Sequence, residues 1–342
     1  MENIIRERIG RRLTHLRSVR DSVVIDGDVH PSDPKAYPGA IAERITVEPG
    51  YFHGRPLSGE QVLAALDRGG VDMALCWQNP AVLPYGEDQA QNAAALRRAN
   101  DYVAALAEKH PNRVIPAGWT DPKALGLDRA IALARACVLE LGMPVVKMNP
   151  AQNAFPIDDP MVVAVVDAIV DLGAVPAFHF GADTPYTPPS GLETLAARHP
   201  EHPIIGVHMG GGGGHFVEAE PVYQEARALG LRRPNVFYIF SAQRDVHIRA
   251  AIIAYLDAGP PFSRNIAAGS DAPYGDIEWN FGGFGAMLSS LSRGEAHDDP
   301  RLQARPRLVD EDAIRGIMGR NLADLVIAAD ERLLARHGAP AR

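Results

Sequence analysis

The sequence predicts a (β/α)₈ barrel, and two observations lead to this fold class. Eight short apolar runs have the continuous, Val/Ile-rich character of parallel strands that are covered on both faces. From the third run onward the runs start at residues 114, 144, 175, 204, 235 and 266. Each interval therefore has room for one strand and one helix. An open doubly wound sheet is the alternative fold.

The eight predicted strands are VVIDGDVH (23–30), VDMALCW (71–77), VIPAGWT (114–120), PVVKMNP (144–150), VPAFHFG (175–181), IIGVHMG (204–210), NVFYIFS (235–241) and IAAGSDA (266–272). Helical patterns fill the intervals between them. Ser58 and Gln61 form a capping-box pair before one helix, and residues 127–142 have apolar side chains at helical spacing. Residues 158–173 begin with acids and Pro160, which favour a helix start.

Three segments are longer than a minimal barrel needs. Residues 31–57 follow the first strand and residues 273–308 follow the last, so both are expected over the C-terminal face of the barrel, where substrate pockets form. Residues 309–337 have the pattern of a C-terminal helical extension. We expect residues 1–22 to form a basic surface helix or arm, and residues 23–342 to form one catalytic domain.

Composition limits the classes of partner. The chain has 34 basic and 42 acidic residues, which argues against nucleic acid or an anionic membrane as the main partner and leaves a small-molecule substrate. It has two cysteines, so no disulfide framework is indicated. The basic N-terminus lacks the apolar core of a secretion signal, and no apolar run has the length of a membrane span. We therefore expect a cytoplasmic protein.

Five potential metal ligands lie at the C-terminal ends of predicted strands: Asp28, His30, His179, His208 and Asp271. A single Asp-x-His pair or a single strand-end histidine is a weak signal, and such a histidine is usually a hydrogen-bonded core residue. The whole set is stronger, because the ends of parallel strands meet at one rim of a barrel. Imidazole and carboxylate ligands together suit Zn²⁺, Mn²⁺ or Fe²⁺.

The motifs at these strand ends resemble those of the amidohydrolase superfamily. They are DGDVH, VVKMNP, AFHFG, GVHMGG and GSDAPYG, in a match that runs from about residue 23 to RNLADL near residue 325. The similar group is the amidohydrolase-related one, which includes metal-dependent hydrolases and aminocarboxymuconate semialdehyde decarboxylase. This resemblance implies a homo-oligomer and one catalytic divalent metal, with zinc expected first and manganese or iron as alternatives.

The resemblance also implies a role for each residue. Asp28, His30, His179 and Asp271 would bind the metal, and Asp271 would in addition handle the proton of a metal-bound water. His208 would be either a ligand or a catalytic histidine that faces the substrate. Position 28 departs from the family pattern, which has His or Glu where this chain has Asp.

Lys147 leaves a further alternative open. In members with two metals, a carbamylated lysine on the fourth strand bridges them, and Lys147 occupies the matching strand. In the group that this chain most resembles, a lysine here often does not bridge. Lys147 is then a cation near the substrate or part of a structural ion pair.

The expected reaction is hydrolysis, which an Asp at position 28 in place of Glu or His slightly favours. A divalent ion lowers the pKa of bound water to about 7, and the resulting hydroxide would attack a small ester, lactone, thioester or amide that carries a carboxylate. The alternative is non-oxidative decarboxylation of an aromatic or unsaturated acid. A third hypothesis is a non-catalytic barrel with a vestigial site.

Five further side chains are candidates for substrate binding. Arg244 and Arg55 lie near the predicted rim and could hold a substrate carboxylate. Trp119, Tyr274 and Trp279 lie on or after strand ends and could line an apolar pocket. Each of the five could equally be an ordinary surface or packing residue.

Overall fold

The strands of this protein run parallel and follow one another in chain order. The structure is a computed structural model that describes residues 2–36, 56–181, 185–211, 221–242, 245–295 and 299–337. The strands are β1 Ile25–Val29, β2 Met73–Cys76, β3 Val114–Pro116, β4 Gly118–Trp119, β5 Val145–Met148, β6 Val175–Gly181, β7 Ile204–Gly210, β8 Val236–Phe240 and β9 Ile266–Ala268. Hydrogen-bonded neighbours are β1-β2-β3 in one sheet and β4-β5-β6-β7-β8-β9 in the other.

The third predicted strand is divided into β3 and β4 at Ala117. The Ala117 amide still donates to Cys76 O on β2 at 2.8 Å, whereas Gly118 and Trp119 pair with β5. A Cβ on Gly118 would lie 2.7 Å from Cβ of Cys137, so helix and strand approach more closely here than any other residue permits. The break at Ala117 therefore divides the hydrogen bonding into two sheets, with β3 paired to β2 and β4 paired to β5.

The first and last strands meet at one point. Val29 and Ala272 form an isolated parallel bridge, and the His30 amide donates to Ala272 O at 2.7 Å. Sequential parallel order with this return contact is the topology of a (β/α)₈ barrel, as predicted, and it excludes a doubly wound sheet, whose strand order reverses. β9 is shorter than predicted, so Asp271 lies in the turn after the strand.

Helices cover the outside of the barrel. They are α1 Glu2–Val19, α2 Gly59–Gly69, α3 Gln89–Lys109, α4 Pro122–Leu125, α5 Leu127–Leu139, α6 Pro150–Asn153, α7 Pro160–Leu172, α8 Pro189–Arg198, α9 Pro221–Arg232, α10 Asp245–Ala258, α11 Ile277–Ser292, α12 Pro300–Ala304, α13 Glu311–Arg315 and α14 Asn321–His337. Within the described ranges, none of them has the length and hydropathy that crossing a bilayer requires.

Local sequence signals set several helix ends. The predicted capping box is present at α2, where the Gln61 amide donates to Ser58 Oγ and the Ser58 amide donates to Gln61 Oε1. At α7 the Asp159 carboxylate accepts from the Met161 amide, and Gly173 ends the helix in the left-handed conformation at φ 87°.

The N-terminal helix α1 is part of the packed structure and not only a solvated arm. Its apolar side chains recur at helical spacing and are buried: Ile5, Ile9, Leu13 and Leu16. α1 packs against α14, and Arg12 donates to both carboxylate oxygens of Asp330 at 2.9 and 2.5 Å. Arg12 and Asp330 are both buried, so this ion pair joins the two ends of the chain within the protein.

We expect Arg12→Ala to lower the free energy of unfolding by about 3–5 kcal/mol, because it leaves the Asp330 carboxylate buried without its cation. Arg17→Ala is the matched control, since Arg17 pairs with Glu331 between the same two helices but in solvent. Arg17→Ala should lower the free energy of unfolding by less than about 1 kcal/mol. Urea unfolding of both variants measures the difference; equal losses would contradict the role of the buried pair.

Candidate metal centre

A cavity of about 370 Å³ lies at the C-terminal ends of the strands. Its volume falls within the range of small-molecule sites. The predicted site residues that line it are His30, Trp119, Lys147, His179, His208, Asp271 and Tyr274. They come from the ends of five different strands and the turn after β9, so barrel closure brings them together across long stretches of sequence.

A compact group of three residues forms the part of this site best suited to a metal. The ligand atoms of Asp28, His30 and Asp271 lie within 4.8 Å of one another. His30 Nε2 is 3.3 Å from Asp28 Oδ1 and 3.5 Å from Asp271 Oδ1. His179 and His208 lie outside this group of three but line the same cavity.

The hydrogen bonding of His30 tests whether this group fits a cation. His30 Nδ1 donates to the carbonyl oxygen of Gln78 at 2.7 Å, which leaves the lone pair of the neutral ring on Nε2. Nε2 therefore directs a lone pair toward two carboxylate oxygens, an arrangement that only a positive charge between them stabilises. A proton on the His30 ring would be one such charge. Burial by itself lowers the pKa of His30, but the carboxylates of Asp271 and Asp28 raise it overall. A divalent ion supplies the same charge, so the residues fit one.

Asp28 is fully buried and accepts hydrogen bonds from three other strand ends. Trp77 Nε1 and Lys147 Nζ donate to Oδ1 at 2.8 and 3.0 Å, and Ser241 Oγ donates to Oδ2 at 2.7 Å. Burial by itself would raise the pKa of Asp28, but the Lys147 ammonium and His30 hold it well below its usual range. The carboxylate is therefore ionised at neutral pH.

Lys147 is held between two indole rings. Its Nζ lies 4.0 Å from the ring centroid of Trp77 and 5.4 Å from that of Trp119, in addition to its bond to Asp28. Burial lowers the pKa of the ammonium, and the charges of Asp28 and Asp271 oppose that shift. The aromatic faces and the carboxylates together stabilise a cation inside the cavity wall.

His179 and His208 contact each other through their rings. His208 Nε2 lies 3.1 Å from His179 Nδ1, and His208 Nδ1 lies 2.9 Å from Ser241 Oγ and 3.2 Å from Ser241 O. Burial lowers the pKa of His208 to about 4, so its ring is neutral at pH 7.

Two site residues have a left-handed backbone, which is rare outside glycine. His208 has φ 78° and Asp271 has φ 60°. Conformations of this kind are energetically costly and are kept when the surrounding structure or function requires them. At Asp271 the turn is held by Ser270, whose amide and hydroxyl both donate to the Asp26 carboxylate, at 2.8 and 2.6 Å.

Some sequence predictions lie elsewhere, and some site residues were not foreseen. The structure does not bring Trp279 to the cavity: it is 86% exposed on α11, because helical periodicity turns Ile277 and Phe281 inward instead. Arg55 and Arg244 lie outside the described residues.

Trp77 and Ser241 were not foreseen as site residues. Both stand at the C-terminal ends of predicted strands, which is the signal that could have found them.

The sequence profile of the amidohydrolase family matches residues 25–280. The chain belongs to the amidohydrolase family. No curated protein matches it. In this amidohydrolase the motifs DGDVH, VVKMNP, AFHFG and GVHMGG lie on or at the ends of β1, β5, β6 and β7, and GSDAPYG follows β9.

Solved structures with the same fold cover most of the chain. An uncharacterized TIM-barrel protein from Bordetella bronchiseptica is 19% identical, with a TM-score of 0.60 over 92% of this chain and 99% of that one. 2,6-Dihydroxybenzoate decarboxylase from Rhizobium is 16% identical, with a TM-score of 0.59 over 89% and 98%. 5-Carboxyvanillate decarboxylase from Novosphingobium aromaticivorans, solved with manganese and a nitrobenzoic acid, is 15% identical, with a TM-score of 0.61 over 89% and 96%.

We expect Lys147→Met to leave the metal content of this amidohydrolase unchanged, because the ammonium already serves Asp28 as a hydrogen-bond donor. Elemental analysis of the purified variant, beside Lys123→Met at an exposed lysine, measures this. A content that falls from two metals per chain to one in Lys147→Met alone would instead identify Lys147 as a bridging ligand.

Proposed function

We propose that this amidohydrolase is a metal-dependent, non-oxidative decarboxylase of a small aromatic or unsaturated acid. The observation that carries the proposal is the buried Lys147 ammonium in the cavity wall, next to the group of Asp28, His30 and Asp271. The Lys147 charge offsets that of Asp28, so a divalent ion in this group would leave net positive charge for an anionic substrate. Dihydroxybenzoate and carboxyvanillate decarboxylases among the structures of the same fold support this reading.

The aromatic side chains that line the cavity suit an aromatic acid. Trp119 and Tyr274 present aromatic surface, and the Tyr274 hydroxyl is fixed by donating to Asn79 Oδ1 at 2.8 Å and accepting from the Ala81 amide at 3.1 Å. An aromatic ring would lie against these side chains with its carboxylate toward Lys147.

Asp28, His30, His179 and Asp271 are the proposed metal ligands. When bound, the divalent ion supplies positive charge for the carboxylate and a neighbouring oxygen of the substrate. Two carboxylates with imidazoles suit either zinc, as expected from the sequence, or manganese, which the 5-carboxyvanillate decarboxylase structure contains.

Asp271 is the proposed proton carrier, because its carboxylate borders the cavity. A proton on Asp271 would pass to the substrate carbon that bears the carboxylate. The bond from that carbon to the carboxylate would then break, CO₂ would leave, and the bonding electron pair would return to the ring. Solvent water would restore the proton on Asp271 and leave hydroxide, so each turnover converts the substrate carboxylate and one water into the protonated product, CO₂ and hydroxide.

Hydrolysis, the reaction expected first from the sequence, has weaker support. That expectation depended on an Asp at position 28. The carboxylate of Asp28 accepts hydrogen bonds from Lys147, Trp77 and Ser241. These contacts account for an Asp at this position, so its presence is no argument for hydrolysis.

A substrate panel tests the proposal. Protein loaded with Mn²⁺ or Zn²⁺ should release CO₂ from hydroxybenzoates such as 2,6-dihydroxybenzoate, and should leave lactones and p-nitrophenyl esters intact. Hydrolysis of lactones or esters without CO₂ release would favour the hydrolase. A chain that binds no divalent metal and turns over nothing would favour the vestigial barrel.

Asp271→Asn should lower kcat by at least about 100-fold, because an amide cannot carry the proton. Glu278→Gln is a suitable control, since it removes an exposed carboxylate on the following helix. Rates of CO₂ release and circular dichroism of both variants test this. Near-normal kcat in Asp271→Asn would remove its proposed role.

Two expectations from the sequence stay predictions. We propose that the protein forms a homo-oligomer and acts in the cytoplasm. The buried, unpaired thiols of Cys76 and Cys137 are compatible with a reducing compartment.

A further inference from the structure

A continuous row of hydrogen-bonding contacts joins three strand ends of the site to Asp28. Asp28 Oδ2 lies 2.7 Å from Ser241 Oγ, which lies 2.9 Å from His208 Nδ1. His208 Nε2 lies 3.1 Å from His179 Nδ1. These atoms belong to β1, β6, β7 and the residue after β8, so the row runs from the buried Asp28 to two histidines that line the cavity.

The charge state of Asp28 decides which atom donates in each hydrogen bond of the row. Asp28 is ion-paired with Lys147 and accepts from Trp77, so its carboxylate has no proton to give. Ser241 must therefore donate its single proton to Asp28, and its oxygen then accepts from His208 Nδ1. The carbonyl oxygen of Ser241, 3.2 Å from the same ring nitrogen, also requires a proton on Nδ1.

The tautomer of His208 in turn decides the tautomer of His179. With its proton on Nδ1, the neutral His208 ring has a lone pair on Nε2, so His179 Nδ1 donates to it. The lone pair of His179 then resides on Nε2. His30 has the same arrangement, because its Nδ1 donates to Gln78 O.

We propose that Ser241 and His208 are positioning residues: with Asp28 they form a hydrogen-bond chain that holds His179 in the tautomer whose Nε2 binds metal. In this arrangement both ring nitrogens of His208 are engaged by Ser241 and His179, so His208 acts on the substrate only through His179. The consequence for metal binding rests on the proposed function, whereas the chain of protons does not.

Nitrogen NMR of metal-free protein labelled with ¹⁵N-histidine tests the chain directly. His208 and His179 should both show a protonated Nδ1 and an unprotonated Nε2. The signals are assigned by their loss in His208→Asn and His179→Asn. A proton found on Nε2 of His208 would overturn the proposal, whatever the protein catalyses.

Metal affinity tests its consequence. Ser241→Ala should weaken Mn²⁺ binding by about 10–100-fold, as loss of a group that orients a ligand typically does. Ser241→Thr keeps the hydroxyl and should restore affinity close to wild type. Ser32→Ala is the matched control, because Ser32 is also buried after a strand, and its hydroxyl has no partner among the described residues.

Titration with Mn²⁺ against a competing chelator gives the affinities. Unchanged binding in Ser241→Ala, or equal weakening in Ser241→Ala and Ser241→Thr, would overturn the role of the hydroxyl. If wild-type protein itself binds neither Mn²⁺ nor Zn²⁺, the proposed function fails. The histidine tautomers would still decide whether the chain exists.

Discussion

The buried carboxylate of Asp28 is the constraint on which the rest of the site depends. An ionised carboxylate without solvent is stable only when donors and a cation surround it, and here the donors come from strands that are far apart in sequence. Trp77 follows β2, Lys147 lies on β5, and Ser241 follows β8. The barrel arrangement brings these strand ends together around the charge, and the hydrogen bonds to Asp28 fix where the three side chains point.

A second carboxylate holds the other wall of the site in place. Asp26 is buried two residues earlier on β1 and accepts from the amide and hydroxyl of Ser270 and from the amide of Asp28. Burial raises its pKa to about 7, against the opposing effect of these hydrogen bonds. The bond to Ser270 ties the turn that contains Asp271 to the first strand, where the ladder between β9 and β1 is reduced to a single bridge. The left-handed backbone of Asp271 is maintained by this tie.

The sequence was sufficient for the fold and for the strand ends that meet at the rim. Apolar runs and their regular spacing are local properties of the chain, and the position of His30 or Lys147 follows from barrel geometry alone. The pairing of Lys147 with Asp28 could not be predicted from the sequence, because two side chains at one rim can point either toward each other or into the cavity. Trp77 and Ser241 were missed for a related reason: indole and hydroxyl groups are common in cores, and only contact with Asp28 distinguishes these two. Trp279 was placed by its distance from a strand end, but the turn of α11 directs it outward.

The charges of the site also bear on the kind of substrate that the proposed function implies. Before Asp271 takes up its proton, and with the histidines neutral as metal ligands are, Asp28 and Asp271 are two negative charges and Lys147 compensates one of them, so the protein contributes a single net negative charge. A divalent ion would turn this into a single positive charge among side chains that are almost fully buried, such as Asp28, His30 and Lys147. A substrate with one carboxylate then brings the site to neutrality by itself, whereas a neutral ester or lactone would need a hydroxide to supply the compensating charge. Under the proposed function, the ion pair between Lys147 and Asp28 would match the site to a monoanionic acid, since without the lysine a bound divalent ion alone would already balance both carboxylates.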